Sequence, residues 1–182
     1  PIWKPDGSKL YEIGSQIHEH NVGTAWDIST AVQQQSVATQ GSPSYGLAWK
    51  PDGTVLYEVS AGDNEIYQHT VPTPWDISTR SLDTTENVGY SISGLSWKPD
   101  GERLFTSEDY GALRQYDVTD PWGIASITNE ISSSHSGRPS GVVVGDDGSG
   151  LWTSVGGFGN AEIREYNLIE RSPNGSALTS PT

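Results

Sequence analysis

Residues 46–79 read GLAWKPDGTVLYEVSAGDNEIYQHTVPTPWDIST, and the rest of the chain is copies of this stretch and the joins between them. The turn Lys4-Pro5-Asp6-Gly7 returns as Lys50-Pro51-Asp52-Gly53 and as Lys98-Pro99-Asp100-Gly101. A worn fourth copy is Gly145-Asp146-Asp147-Gly148. Asp6, Asp52, Asp100 and Asp147 follow one another at 46, 48 and 47 residues. A fixed period in that range marks a solenoid, a propeller or an array.

Laid over one another, the copies share columns. A first strand ends at Trp3, Trp49, Trp97 or Val144, and the turn follows, with proline presetting its angle and Asp-Gly closing it. Leu10, Leu56, Leu104 and Leu151 each stand seven residues after that column and open a second strand. A third strand alternates with period two: Ile17-His18-Glu19-His20, Ile66-Tyr67-Gln68-His69, Leu113-Arg114-Gln115-Tyr116 and Ile163-Arg164-Glu165-Tyr166. The gap between the leucine column and this strand varies, at 7, 10, 9 and 12 residues, so those loops are released from framework duty. Trp26-Asp27-Ile28, Trp75-Asp76-Ile77 and the degraded Trp122-Gly123-Ile124 come next. The tryptophan is expected to plug the bottom of the core ahead of a side-chain-capped turn. A polar, outermost fourth strand follows over 31–38, 81–87 and 126–132. No stretch holds a 3.6-residue apolar period, while Gly (21) and Pro (11) are plentiful, so the chain reads as all-β.

Four antiparallel strands in about 47 residues describe a β-propeller blade. Leu113-Arg114-Gln115-Tyr116-Asp117-Val118 resembles the strand ending of WD-type repeats, with tyrosine in the tryptophan place. The longer pattern, Trp-Lys-Pro-Asp-Gly through Trp-Asp-Ile-Ser-Thr, resembles propeller blades of tailed-virus fibre and microbial surface proteins. That resemblance implies a β-propeller over residues 1–170, with blades of about 1–43, 44–91, 92–138 and 139–170. Residues 171–182 form a Ser/Thr/Pro-rich tail or linker. Pro1-Ile2-Trp3 is a short first strand and the tail is a poor fourth one. The repeats therefore close a four-bladed ring, belong to a larger propeller in a longer chain, or combine as a homo-oligomer.

The 23 acidic against 10 basic residues give a net charge of −13, which repels nucleic acid and anionic lipid. Such a surface suits solubility in general and a high-salt setting in particular; only four of the ten basic residues are lysines. Without cysteine there is neither a disulfide nor a thiolate metal site. Val142-Val143-Val144 is the longest aliphatic run, too short to insert in a membrane. With proline at residue 1 and no signal peptide, the chain is expected to begin after processing or inside a longer polypeptide.

No catalytic constellation stands out, and no cofactor is implied. His20 and His69 share a column with Tyr116 and Tyr166, a packing slot with a polar tip. Gly137-Arg138-Pro139-Ser140-Gly141 has its serine one place off a nucleophile elbow. Glu108-Asp109 and Asp146-Asp147 lack the spacing of a calcium loop. In a four-stranded blade the near-identical turns emerge on one face, and the divergent second-to-third loops and blade joins on the other. Candidate ligand-binding residues on the divergent face are Tyr45, Asp63, Asn64, Tyr90, Asp109, Tyr110, His135, Arg138, Phe158 and Asn160. The expected function is a non-enzymatic module on a virion or cell surface, binding a protein or surface glycan. The alternative is a propeller hydrolase or lactonase with a metal in the central channel.

Overall fold

The computed structural model describes residues 1–109, 111–134, 137–157 and 160–168. The chain forms two compact units, Pro1–Gly89 and Tyr90–Thr182. The first holds blade 1, with strands β1 (Ile2–Trp3), β2 (Lys9–Ile13), β3 (Gln16–Val22) and β4 (Ala31–Ala38). It also holds blade 2, with β5 (Ser44–Trp49), β6 (Val55–Ser60), β7 (Glu65–Thr70) and β8 (Ser81–Asn87). The second unit holds blade 3, with β9 (Ile92–Trp97), β10 (Arg103–Glu108), β11 (Ala112–Val118) and β12 (Ile127–Ser134). Its blade 4 comprises β13 (Arg138–Val144), β14 (Gly150–Gly157) and β15 (Asn160–Asn167). Every sheet is an antiparallel meander in chain order. Blade 4 has three strands among the described residues, and the stretch where a fourth would fall lies outside them. No helix among those residues is long and apolar enough to cross a membrane.

The register bears out the columns. Leu10 pairs with His20, Leu56 with His69, Leu104 with Tyr116 and Leu151 with Tyr166. The turns repeat bond for bond. Gly7 N donates to Lys4 O at 2.9 Å, Gly53 N to Lys50 O at 2.8 Å and Gly101 N to Lys98 O at 2.9 Å. In all three, the aspartate Oδ1 accepts the amide two residues on, Ser8, Thr54 or Glu102, at 2.9 Å. The following glycine sits at φ +72° to +76°, where a side chain is strained.

Of the tryptophans after the third strand, Trp75 packs against the edge of the core, as expected of a plug, whereas Trp26 does not. Trp26 is more than half exposed, and Trp75 and Trp122 are half-buried. Each lies over the turn glycine of its own blade, where a Cβ on Gly53 or Gly101 would stand 2.3 Å from indole Nε1. Each is also tilted against the first-strand tryptophan: Trp3–Trp26 at 5.3 Å, Trp49–Trp75 at 5.0 Å and Trp97–Trp122 at 5.3 Å between centroids. Their backbones take φ of 66°, 66° and 70°, the left-handed region that bulky residues avoid. The amides of Trp26, Trp75 and Trp122 then reach Gly7, Gly53 and Gly101 O at 3.1 Å. The expected capped turn follows in two blades, where Asp27 and Asp76 accept from Ser29 N and Ser78 N; Gly123 supplies no cap.

The core lies between blades. In the first unit Tyr11 and Ile17 of blade 1 pack on Trp49, Leu56, Val71 and Ile77 of blade 2. In the second, Phe105 and Leu113 of blade 3 pack on Val142, Val144, Leu151 and Tyr166 of blade 4. One rule serves both junctions. The outgoing face of a blade carries the second-strand aromatic and the third-strand Ile or Leu. The incoming face of the next carries the Trp/Val and Leu columns. Trp49 and Trp97 are both buried, and at the first unit's junction the burial of Trp49 is what this mode of packing requires.

Candidate binding surface at the loop end of the blades

Within each unit the two ends of the blades are built differently. The turn end repeats one set of bonds. At the loop end each blade has its own.

In blade 2, Asp63 stands in the β6–β7 loop and gathers three donors. Ser60 Oγ lies 2.8 Å from its Oδ2, Tyr67 Oη 3.1 Å and Ser42 N 3.2 Å. These bonds, chiefly the Ser60 hydroxyl, hold its carboxyl below the ordinary range. The Ser42 bond ties the incoming join to the loop, which confirms that joins and second-to-third loops share an end. Asn64 takes the left-handed conformation at φ 60° and its carbonyl accepts Val88 N at 3.0 Å. Asp63 and Asn64 therefore shape the loop. Tyr45 was expected in the join but belongs to β5, and its side chain is exposed.

In the second unit, Arg138 opens β13 and grips the β10–β11 loop. Its Nη2 lies 2.8 Å from both Asp109 oxygens, and its Nε donates to Asp109 O at 3.0 Å. Asp109 N donates to Ser91 O at 2.9 Å, so one loop is clasped by the joins on both sides. Glu108 pairs with Arg114 at 2.9 Å. Both members of that acidic pair are thus engaged by arginine. Tyr90 is no free recognition tyrosine. Its hydroxyl bonds Thr106 Oγ1 at 2.9 Å and Tyr116 Oη, and the Arg114 guanidinium lies 3.9 Å above its ring. Burial, and then the neighbouring Tyr116, raise its phenol above the ordinary range. Asn160 begins β15 opposite Gly157 instead of lying in a loop. Tyr110, His135 and Phe158 lie outside the described residues. The structure thus brings Asp109 and Arg138 into contact and leaves Tyr45 separate.

Sequence reading missed two features. The first is a β-bulge at one column of every complete first strand. Register shifts fall between Ser44 and Gly46, opposite Ser107/Glu108 at Ser93, and between Pro139 and Gly141. The extra residues are Tyr45, Ser93 and Ser140, each four before the Trp/Val column and each followed by glycine. That residue-Gly pair at constant spacing was the available signal. Gly94 shows why glycine follows: a Cβ there would lie 3.1 Å from Gly141 Cα, where β9 and β13 approach. The second is Glu58, fully buried in β6. Its Oε1 accepts Ser44 Oγ at 2.5 Å, Gln40 N at 2.9 Å and Gly41 N at 3.1 Å, and His69 Nε2 lies 3.6 Å from Oε2. Burial drives this carboxyl upward, but its contacts with His69, Ser44 and the two amides win and hold it below its ordinary value.

No family model matches the chain, and no curated protein does. Solved structures do. A chain of the mitotic checkpoint complex superposes with a TM-score of 0.62 at 16% identity, over 92% of this chain and 48% of that one. Kuenenia stuttgartiensis hydrazine synthase gives 0.61 at 21% identity, over 91% and 44%. A chain of the nidogen/laminin complex gives 0.62 at 12% identity, over 87% and 57%. The fold is a β-propeller fold of four blades. At these identities the likeness concerns the fold alone, and the propeller chain spans about half the length of the chains it matches.

Proposed function

We propose that this propeller is a non-enzymatic recognition module, exposed outside the cell or on a virion, that binds a protein or a surface glycan through the loop ends of its blades. One observation carries the reading. The turn end is the same bonded device three times over, while the loop end differs in every blade and offers an exposed Tyr45 and an Arg138 fixed by Asp109. Tyr and Arg are economical recognition groups, and the Asp109 clasp leaves Arg138 with little side-chain freedom to lose on contact. Two of the similar solved structures are protein complexes, which favours a protein partner. The net charge of −13 favours a neutral or cationic one. Among the described residues no three His, Asp or Glu side chains gather to hold a metal ion, so nothing specific favours a propeller hydrolase.

A glycan array and a pull-down against host envelope proteins test the proposal. Binding is expected to be lost in Tyr45→Ala or Arg138→Ala and kept in Lys50→Ala at the turn end. An empty array together with an empty pull-down, or a loss confined to Lys50→Ala, would overturn it.

A further inference from the structure

A buried polar cluster inside the first unit lies beneath the join between blades 1 and 2. Glu58 of β6 and His69 of β7 are 0% and 1% exposed, and Arg80, just ahead of β8, is half-buried. Two of these residues bond one stretch, residues 38–44. Arg80 Nη2 donates to Ala38 O. Glu58 accepts the Gln40 and Gly41 amides and the Ser44 hydroxyl. The third backs Glu58: His69 Nε2 stands 3.6 Å from Oε2, an ion-pair distance. Neither ring nitrogen of His69 has a hydrogen-bond partner among the described residues. Burial works against the charge on Arg80, and the Glu58 carboxylate opposes that effect.

The other ionisable groups at this place are engaged with one another. Tyr67 Oη bonds Asp63 at 3.1 Å, and Glu65, on the same side of β7, acts on the same phenol. From blade 1, Glu19 faces the junction but is taken by Lys9, Gln35 and the Ile77 amide. The repeat columns single out the pair as a unit. Glu12 stands with His20 and Glu58 with His69, while Thr106 stands with Tyr116 and Thr153 with Tyr166. Carboxylate goes with imidazole, and hydroxyl with phenol. Blade 1 repeats the contact, His20 Nε2 lying 2.9 Å from Glu12 Oε1.

We propose that Glu58, backed by His69 and Arg80, is an acid-released clamp on residues 38–44 that holds Ser44 inward and so sets Tyr45 outward at the loop end. A charged carboxylate only accepts, and here it serves three donors at once. Protonated, it becomes a donor among donors. Acid also protonates imidazoles, so Arg80 and His69 are then left as two cations without a counter-charge. The carboxyl is held below its ordinary value of 4.5, so the clamp is shut at neutral pH and opens as pH falls through that lower value. Its consequence for binding rests on the role of Tyr45 proposed above; the clamp itself does not.

Amide hydrogen exchange followed by NMR tests the clamp with no ligand present, so the result is separate from whether Tyr45 binds anything. Protection factors remove the intrinsic pH dependence of exchange. They are compared at Gln40, Gly41 and a turn-end control, Gly53, whose amide donates to Lys50 O at 2.8 Å. Between about pH 7 and about pH 3.5, protection at Gln40 and Gly41 should fall roughly 10-fold or more, and that at Gly53 less than about threefold. The Ser44 and Tyr45 resonances should shift with the same midpoint. Glu58→Gln should lower protection at both amides at neutral pH and abolish the pH response. The double variant Glu58→Thr, His69→Tyr installs the pair found in blades 3 and 4. It should be folded by circular dichroism and show the same weakly protected, pH-independent amides. Constant protection in the wild type, a fall shared equally by Gly53, or a pH response that survives in either variant would overturn the proposal.

Discussion

Gly53→Ala puts the turn-and-tryptophan device to a quantitative test. Gly53 sits at φ 74°, and an added Cβ would lie 2.3 Å from Trp75 Nε1 and 2.4 Å from Cε2. Two costs combine. An L-residue in the left-handed region loses roughly 1–2 kcal/mol, partly offset by a less flexible unfolded chain. The indole must also retreat by about 1 Å to reach ordinary contact. That retreat loosens the Trp49–Trp75 contact at 5.0 Å, the kind of pair worth about 0.5–1.5 kcal/mol. The sum is about 2–3 kcal/mol, a large share of a small domain's stability. Gly89→Ala is the control: its φ is 78°, but nothing lies within 4 Å of the new Cβ. It should cost only the conformational part, about 1 kcal/mol. Urea unfolding followed by circular dichroism measures both. In a Trp75→Ala background the Gly53→Ala penalty should fall to that of Gly89→Ala. Equal costs at the two glycines, or a Gly53→Ala penalty unchanged without the indole, would refute the reasoning.

Three further outcomes are expected. Glu58 has a depressed pKa, so its contribution is present above its unfolded value near 4.5 and is lost as pH falls through the lower folded value. Stability should hold from neutral pH to about 5 and then decline, and Glu58→Gln should flatten that decline while costing about 1–3 kcal/mol at pH 7, read from urea midpoints across pH. Gly123 has φ −100°, ψ 111°, close to the capping Asp27 at −98°, 97°, but supplies no side chain. Gly123→Asn should therefore stabilise by about 0.5–1 kcal/mol in thermal melts, the amide avoiding repulsion from Asp120. Arg138→Ala breaks an exposed clasp and should change stability by no more than about 1 kcal/mol in urea titration, so any binding defect reports on recognition and not on folding.

The framework was legible because it is local. Turn chemistry, period-two alternation and fixed spacings from Trp49 to Leu56 and from Trp97 to Leu104 set columns that the register reproduces. The placement of Trp26, Trp75 and Trp122 was not legible. Nothing local favours tryptophan at positive φ; contact with a glycine earlier in the blade and with the first-strand indole imposes it. The loop-end clasp was half-legible. Asp109 and Arg138 were picked out as candidates, but their union spans 29 residues and depends on β13 starting at Arg138, where pairing with Gly156 extends the strand into the expected join. The bulges escaped because a single extra residue leaves the alternation on either side nearly intact. They decide that Tyr45 points to solvent while Ser93 turns inward to Pro139 O at 2.7 Å.

The divergence of the loop end is built from inside the blade. Two residues after each leucine of the second strand stands a polar side chain: Glu12, Glu58, Thr106 and Thr153. The last three are buried. A buried polar group must find partners: Glu58 and Thr106 find them in the join that leads into their own blade, Thr153 in its blade's first strand. Glu58 takes the amides of Gln40 and Gly41, Thr106 takes the hydroxyl of Tyr90, and Thr153 Oγ1 donates to Gly141 O at 2.6 Å. In blades 2 and 3 a change at this column therefore acts on a join and not on the apolar columns or the turn end. Glu12 alone is exposed, bonded to His20 at 2.9 Å on the incoming face of blade 1, the same face that leaves Ile28 open. The column thus shapes the loop end wherever its side chain is buried.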